Sequence, residues 1–125
     1  MYNHVPVLDK EVIEALNIKP DGIYVDSTFG VGGHSKLILN KLSSNGKLIV
    51  FDKDPQAVKR AKLLACNDKR LIVIHSSFSS LKKELLNLNI KFIDGILFDF
   101  GVSSVQLEDP SRGCLLYTSP SPRDA

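Results

Sequence analysis

Residues 25–34 read Val-Asp-Ser-Thr-Phe-Gly-Val-Gly-Gly-His. Just ahead of them Ile23, Tyr24 and Val25 form a short apolar, β-favouring run, and just behind them Leu37, Ile38 and Leu42 recur along one side of a helix. The stretch therefore predicts a buried strand, an acidic residue, a glycine-rich turn and a helix start. Gly30, Gly32 and Gly33 permit a sharp turn and let a ligand approach the main chain closely. N–H groups at the start of the following helix suit a polar cofactor.

Two familiar nucleotide loops can be compared with this stretch. A phosphate-binding P-loop requires Gly-Lys-Ser/Thr after a four-residue gap, and the chain has no such triplet. A dinucleotide fingerprint requires a third glycine where Ser35 stands. Asp26, ahead of the loop, points instead to a ligand that carries positive charge or donor groups. S-adenosyl-L-methionine, with its sulfonium and ammonium, suits such an acid better than NAD. A dinucleotide-binding oxidoreductase domain is the alternative reading, and a short binding module is a third.

At 125 residues the chain holds at most one domain, and its 43% hydrophobic and 24% charged composition is that of a soluble globular protein. A net charge of +2 is too small to argue for nucleic acid by itself. No apolar run reaches membrane-spanning length, and the N-terminal residues lack the pattern of a secretory signal. Cys66 and Cys114 offer neither a metal-binding spacing nor a disulfide framework, so no metal is expected and the cytoplasm is the expected compartment.

Further elements follow in order. Val5-Pro6-Val7 is expected to be extended, with Asp9 capping a helix that carries Leu8, Val12, Ile13 and Leu16. Leu48–Phe51 is a second strand, running into Asp52-Lys53-Asp54-Pro55. Asp54 and Pro55 start a helix with an apolar stripe of Ala57, Val58, Ala61, Leu64 and Ala65. Lys59, Arg60 and Lys62 lie off that stripe and read as a solvated face. Leu71–Ile74 is a third strand, followed by a short helix capped by Ser79 or Ser80. Ile93–Phe98 is a fourth, running into a loop of Asp99-Phe100-Gly101-Val102-Ser103-Ser104. Strands and helices that alternate four times predict an α/β fold with four parallel strands, whose ligands bind outside the strands' carboxyl ends. Asp26 and the glycines, Asp52, Phe78 and Asp99 all fall at those ends. Asp52 sits about twenty residues past the loop, where an acid can accept ribose hydroxyls. Phe78 flanks an adenine or packs as a core aromatic.

Four motifs then occur together and in order: His4-Val5-Pro6-Val7-Leu8, residues 26–35, Asp52-Lys53-Asp54-Pro55-Gln56-Ala57, and residues 99–104. Together they resemble the bacterial S-adenosylmethionine-dependent methyltransferases that act on N4 of a cytosine in small-subunit (16S) ribosomal RNA. The resemblance spans residues 4–113. It implies a Rossmann-like class I methyltransferase fold, with residues 1–113 as the amino-terminal part of the cofactor-binding domain. It also implies that Gly32, Gly33 and His34 hold the methionine end of the cofactor, Asp52 the ribose and Phe78 the adenine side, with Asp99 and Gln106 completing the pocket. The implied partner is small-subunit ribosomal RNA, and the implied reaction is direct displacement of the sulfonium methyl by an exocyclic amine. No residue is assigned a catalytic role, because Asp99-Phe100-Gly101-Val102 lacks the two prolines common in amino-group methyltransferases. The chain departs from the family pattern at Phe100 and Val105, where leucine and proline are usual. It departs again after Arg112-Gly113, where the family has Phe-Ser-Phe.

Residues 114–125, with two prolines in three positions and no periodicity, resemble a translated transposon-end sequencing adaptor. They are expected to be foreign to the fold and to contribute no element. Their removal leaves the net charge at +2, since Arg123 and Asp124 cancel. The chain as written is expected to be aggregation-prone and inactive by itself, with strand edges exposed after the fourth strand.

Overall fold

The structure is a computed structural model that describes the backbone of residues 6–98, 101–106 and 117–120, and the side chains of residues 11–98. Helix α1 (Pro6–Leu16) leads to β1 (Ile23–Asp26), α2 (Gly33–Lys41), β2 (Lys47–Asp52), α3 (Pro55–Cys66) and β3 (Leu71–His75). A 3₁₀ turn (Phe78–Ser80) opens α4 (Leu81–Asn87), which is followed by β4 (Phe92–Phe98), β5 (Gly101–Gln106) and β6 (Tyr117–Pro120). Among the described residues the strands form one sheet in the order β3-β2-β1-β4-β5-β6. The first four strands are mutually parallel, as the alternating pattern predicts.

Each of the first four strands alternates its side chains between two apolar layers. Tyr24, Leu48, Val50, Leu71 and Leu97 pack with Ile13, Leu16, Ile38, Leu39 and Ala61, which come from α1, α2 and α3. Val25, Ile49, Phe51, Ile93 and Ile96 pack with Leu81 and Leu85 of α4. Burial on both faces is what a parallel sheet requires, and it explains why β2 reads as an unbroken apolar run. The chain winds outward from β1 to β3 and then returns past β1 to β4. A right-handed return crossover puts α4 on the face opposite α2 and α3. The reversal lies between β1 and β4, and the crevice for a ligand opens above it.

Local chemistry sets the element ends. Asp54 is the N-cap of α3, its carboxylate accepting the Gln56 N–H at 2.9 Å, with Pro55 at the first helical position. Asn17 and Asn89, beyond the ends of α1 and α4, take φ of 51° and 61°, a region asparagine tolerates better than most residues. Ser80 precedes α4 as expected, but its side chain makes no capping hydrogen bond.

Three expectations are corrected here. Helix α1 begins at Pro6, and Asp9 lies inside it rather than capping it. Pro6 suits a first helical position because its φ is already helical and it has no N–H that needs a partner there. Residues 101–106, expected as loop, form β5, which pairs antiparallel with β4. That pairing satisfies the row of N–H and C=O groups that β4 would otherwise leave open. Tyr117–Pro120, expected to contribute no element, in turn pairs antiparallel with β5 as β6.

Arg70 braces the end of α2. Its Nη1 donates to the carbonyl oxygens of Leu39 and Leu42 at 2.8 and 2.7 Å, and the guanidinium pairs with Asp68 at 2.6 Å. A cation on the last carbonyls of a helix offsets their partial negative charge. Hydrogen bonding from Arg70 holds the Asp68 carboxyl below its ordinary value of 3.8. Arg70→Ala is expected to cost about 1–2 kcal/mol. A carboxylate with a depressed folded-state pKa contributes stability that is full above its unfolded pKa and lost as pH falls through the folded value. The Asp68 contribution should therefore be complete above pH 3.8 and vanish in more acidic solution. Urea midpoints of both proteins at pH 7 and under strongly acidic conditions check this: the gap should narrow at low pH.

Candidate functional site

The carboxyl ends of β1, β2, β3 and β4 surround a cavity of about 610 Å³ lined by Ser27, Thr28, Asp52, Lys53, Ser76–Ser79 and Phe98, with Phe78 in its wall. Its floor and walls derive from the strand register. Asp52 pairs with His75 at the last rung of β2 and β3, so the β2 acid and the serine-rich segment after β3 end side by side. Asp26 ends β1 level with Leu97 of β4, which places the glycine loop over the reversal in strand order.

Backbone hydrogen bonds and the packing of Phe29 hold the loop. The Phe29 N–H donates to the Phe51 carbonyl of β2 at 3.1 Å, and the Gly32 N–H to the Phe29 carbonyl at 2.9 Å. Phe29 is buried, and a Cβ on Gly32 would meet its Cζ at 2.8 Å. Gly32 also has φ 89°, so a side chain there meets both steric and torsional cost; it is the N-cap of α2. A Cβ on Gly33, by contrast, would meet nothing within 4 Å. The lack of a side chain at Gly33 leaves open space at the helix start, where N–H groups gather.

Asp26 does different work from that expected. It is 2% exposed, its Oδ2 accepts from the Ser35 hydroxyl at 2.7 Å, and its Oδ1 accepts the Thr28 N–H at 3.1 Å. The carboxylate therefore ties α2 and the loop to the end of β1 rather than aiming at a ligand. Ser35 is fully buried. A glycine there, as in the dinucleotide fingerprint, would leave Asp26 without that donor, so the departure at Ser35 marks a differently braced loop.

Asp52 is half-buried at the cavity. Its Oδ2 accepts the Gly30 N–H and its Oδ1 the Asp54 N–H, both at 2.9 Å. An ionised carboxylate has about four acceptor positions, so each oxygen keeps one for an incoming donor. Two hydroxyls on adjacent carbons suit that geometry. Phe78 stands edge-on to Phe98 at 5.0 Å and 81° between rings, and to Phe51 at 6.4 Å and 77°. It therefore packs as a core aromatic on the α4 face and also lines the cavity.

The structure brings Asp52, at the end of β2, and Phe78, after β3, into the lining of one cavity. Gly32, Gly33 and His34 stand at the start of α2 outside that lining, joined to it through Gly30 of the same loop, whose N–H donates to Asp52. Asp99 follows directly on Phe98 in sequence and lies outside the described residues. Gln106 ends β5 opposite Phe92, the first residue of β4, so its backbone is carried to the sheet edge away from the cavity. Sequence reading did not single out Arg60, which binds the glycine loop. Its Nε and Nη2 donate to the Gly30 carbonyl at 3.1 and 3.0 Å. Nothing in the α3 pattern distinguishes Arg60 from Lys59 or Lys62; only the packing of α3 beside the loop does.

A 3-2-1-4 sheet with a glycine loop after its first strand and an acid after its second defines a Rossmann-like cofactor-binding protein. The sequence pattern of the MraW methylase family matches residues 1–122. Ribosomal RNA small subunit methyltransferase H of Neisseria gonorrhoeae (strain NCCP11945) is 54% identical over 112 residues, which are 90% of this chain and 35% of that protein. The protein of the same name from Caldicellulosiruptor saccharolyticus is 56% identical over 115 residues, covering 90% and 37%. A SAM-dependent O-methyltransferase from Thermotoga maritima shares the fold, with a TM-score of 0.56 at 17% identity over 64% of this chain and 31% of its own. The chain belongs to the MraW methylase family. It spans about a third of the length of the curated relatives it matches.

Proposed function

We propose that this chain supplies the S-adenosylmethionine site of a methyltransferase acting on N4 of a cytosine in small-subunit ribosomal RNA, in the bacterial cytoplasm. One observation carries the cofactor assignment: Asp52, with an acceptor position left on each oxygen, and the Phe78 ring line one cavity at the strands' carboxyl ends, and the same carboxylate is tied through the Gly30 N–H to the loop that leads into the open α2 start at Gly33. Asp52 would take the ribose hydroxyls, Phe78 would lie beside the adenine, and Gly32, Gly33 and His34 would face the methionine end. When bound, the cofactor supplies an electrophilic methyl group on sulfur. The chain's own contribution is orientation, because donor and acceptor held close to in-line lose much of the entropic barrier. An exocyclic amine in structured RNA reaches such a crevice only when its base is splayed out of the stack. The named relatives support ribosomal RNA of the small subunit as the substrate. Cytosine N4 rests on the motif resemblance, and methyl transfer is assigned to a protein of the relatives' length.

The test has two arms. Equilibrium dialysis of labelled S-adenosylmethionine against the chain, with NAD as competitor, should show binding that NAD does not displace. A chimera in which this chain replaces the matching third of the Neisseria relative should methylate small ribosomal subunits, and nucleoside digestion should release N4-methylcytidine. Binding of NAD alone would favour the oxidoreductase reading, and a methylated base other than N4-methylcytidine would overturn the substrate assignment.

Gly33→Ala separates fold from function at this site. Gly33 is helical and unobstructed, so alanine should stabilise the chain by about 0.4–1 kcal/mol through the unfolded state. The added methyl enters the space proposed for the cofactor, so affinity should drop roughly tenfold, a loss of about 1.4 kcal/mol of binding. Thermal melting and dialysis on one preparation would read the two opposite signs.

A further inference from the structure

Resting on the cofactor reading above, we infer that Arg60 is a positioning residue for the glycine loop, fixing the Gly30–Val31 peptide in the orientation that receives the cofactor. Gly30 is held at both of its polar groups. Its N–H goes to Asp52 Oδ2 at 2.9 Å, and its C=O receives both Nε and Nη2 of Arg60 at 3.1 and 3.0 Å. Its φ is +59°, and a Cβ there would touch nothing within 4 Å, so side-chain packing does not choose the conformation at this position. The polar contacts are left to choose it.

A trans peptide points its C=O and N–H in opposite directions. With the Gly30 oxygen drawn toward α3 by Arg60, the Val31 N–H is turned away from α3. Helix α3 packs on the face of the sheet opposite Phe78 and Phe98. Without Arg60 that peptide is free to turn about ψ of Gly30 and φ of Val31, and the missing Cβ of Gly30 removes the steric limit on the first of these rotations. The planar guanidinium matters as well as the charge: its two N–H groups meet one acceptor in a fixed fork that an ammonium cannot reproduce. The same Gly30 N–H bond joins the loop to Asp52, so Arg60 also steadies the carboxylate assigned to the ribose.

The experiment compares wild type, Arg60→Met and Arg60→Lys by amide hydrogen exchange and by S-adenosylmethionine dialysis. Arg60→Met should speed exchange of residues 30–32 about tenfold and weaken cofactor binding about tenfold, with Arg60→Lys in between. The melting temperature should move by less than about 2 °C, because the Arg60 side chain is exposed. Unchanged loop exchange in Arg60→Met overturns the inference whether or not the chain binds the cofactor. So does wild-type affinity in Arg60→Met, and so does full rescue by lysine, which would reduce the role to charge. Faster loop exchange in a chain that binds no S-adenosylmethionine would uphold the positioning of the loop and overturn the cofactor reading instead.

Discussion

Asp52→Ala is expected to weaken S-adenosylmethionine binding at least about 100-fold, the largest functional loss from any single substitution in this chain. The magnitude follows from the donors involved. Hydrogen bonds to a charged acceptor contribute about 1.5–3 kcal/mol each, and two ribose hydroxyls would lose theirs together. About 2.7 kcal/mol corresponds to 100-fold in affinity, so that figure is a lower bound. The same change frees the Gly30 and Asp54 N–H groups, which both donate to this carboxylate. Those groups lie at the solvent edge, where water can replace the lost acceptor, so the stability cost should stay near about 1 kcal/mol. Asp52→Asn keeps the shape and one acceptor and should fall between the two. Isothermal titration with S-adenosylmethionine decides the matter, and affinity retained within about threefold, some 0.65 kcal/mol, would remove Asp52 from the site.

Phe51→Ala should have the largest effect on folding, costing about 3–5 kcal/mol. Phe51 is fully buried in the layer beneath α4, packed with Val25, Ile49, Leu81, Leu85 and Ile96. The loss combines transfer of the ring with a cavity that β2, a central strand paired on both sides, cannot close by moving. A domain holds only about 5–15 kcal/mol in total, so the change removes a large share of it. The consequence extends to the site, because Phe51 supports Phe78 edge-on and its carbonyl anchors Phe29 of the glycine loop. Urea denaturation should show a lower midpoint with an unchanged slope. Phe51→Leu, which conserves much of the volume, should cost less than about 1.5 kcal/mol. A loss below about 1 kcal/mol in Phe51→Ala would mean that the layer under α4 is not packed as described.

Much of this fold and site is legible in local pattern. The cap and proline at Asp54-Pro55 start α3 where expected, and Ala57, Val58 and Ala61 are its buried residues. Gly32, with φ 89°, occupies a conformation that favours glycine whatever the surroundings. These features depend on neighbours close in sequence, and so the sequence discloses them. The same holds for the parallel arrangement, since alternation of strand and helix leaves few ways to bury both faces of a sheet.

Other features depend on partners distant in sequence. Asp26 has the composition of a ligand-binding acid, yet packing of α2 against β1 turns it onto Ser35, nine positions away. Residues 101–106 carry the serines and glycine of a loop, yet the open edge of β4 makes them a strand. Arg60 is indistinguishable along α3 from its lysine neighbours, and only the seating of that helix beside the loop, thirty residues from Gly30, delivers its guanidinium to that carbonyl. Backbone torsions, caps and hydrophobic period are short-range quantities that residue identity sets directly. Which donor meets which acceptor across the sheet is settled only when the layers close, because a polar group taken out of water binds whatever partner packing brings within reach.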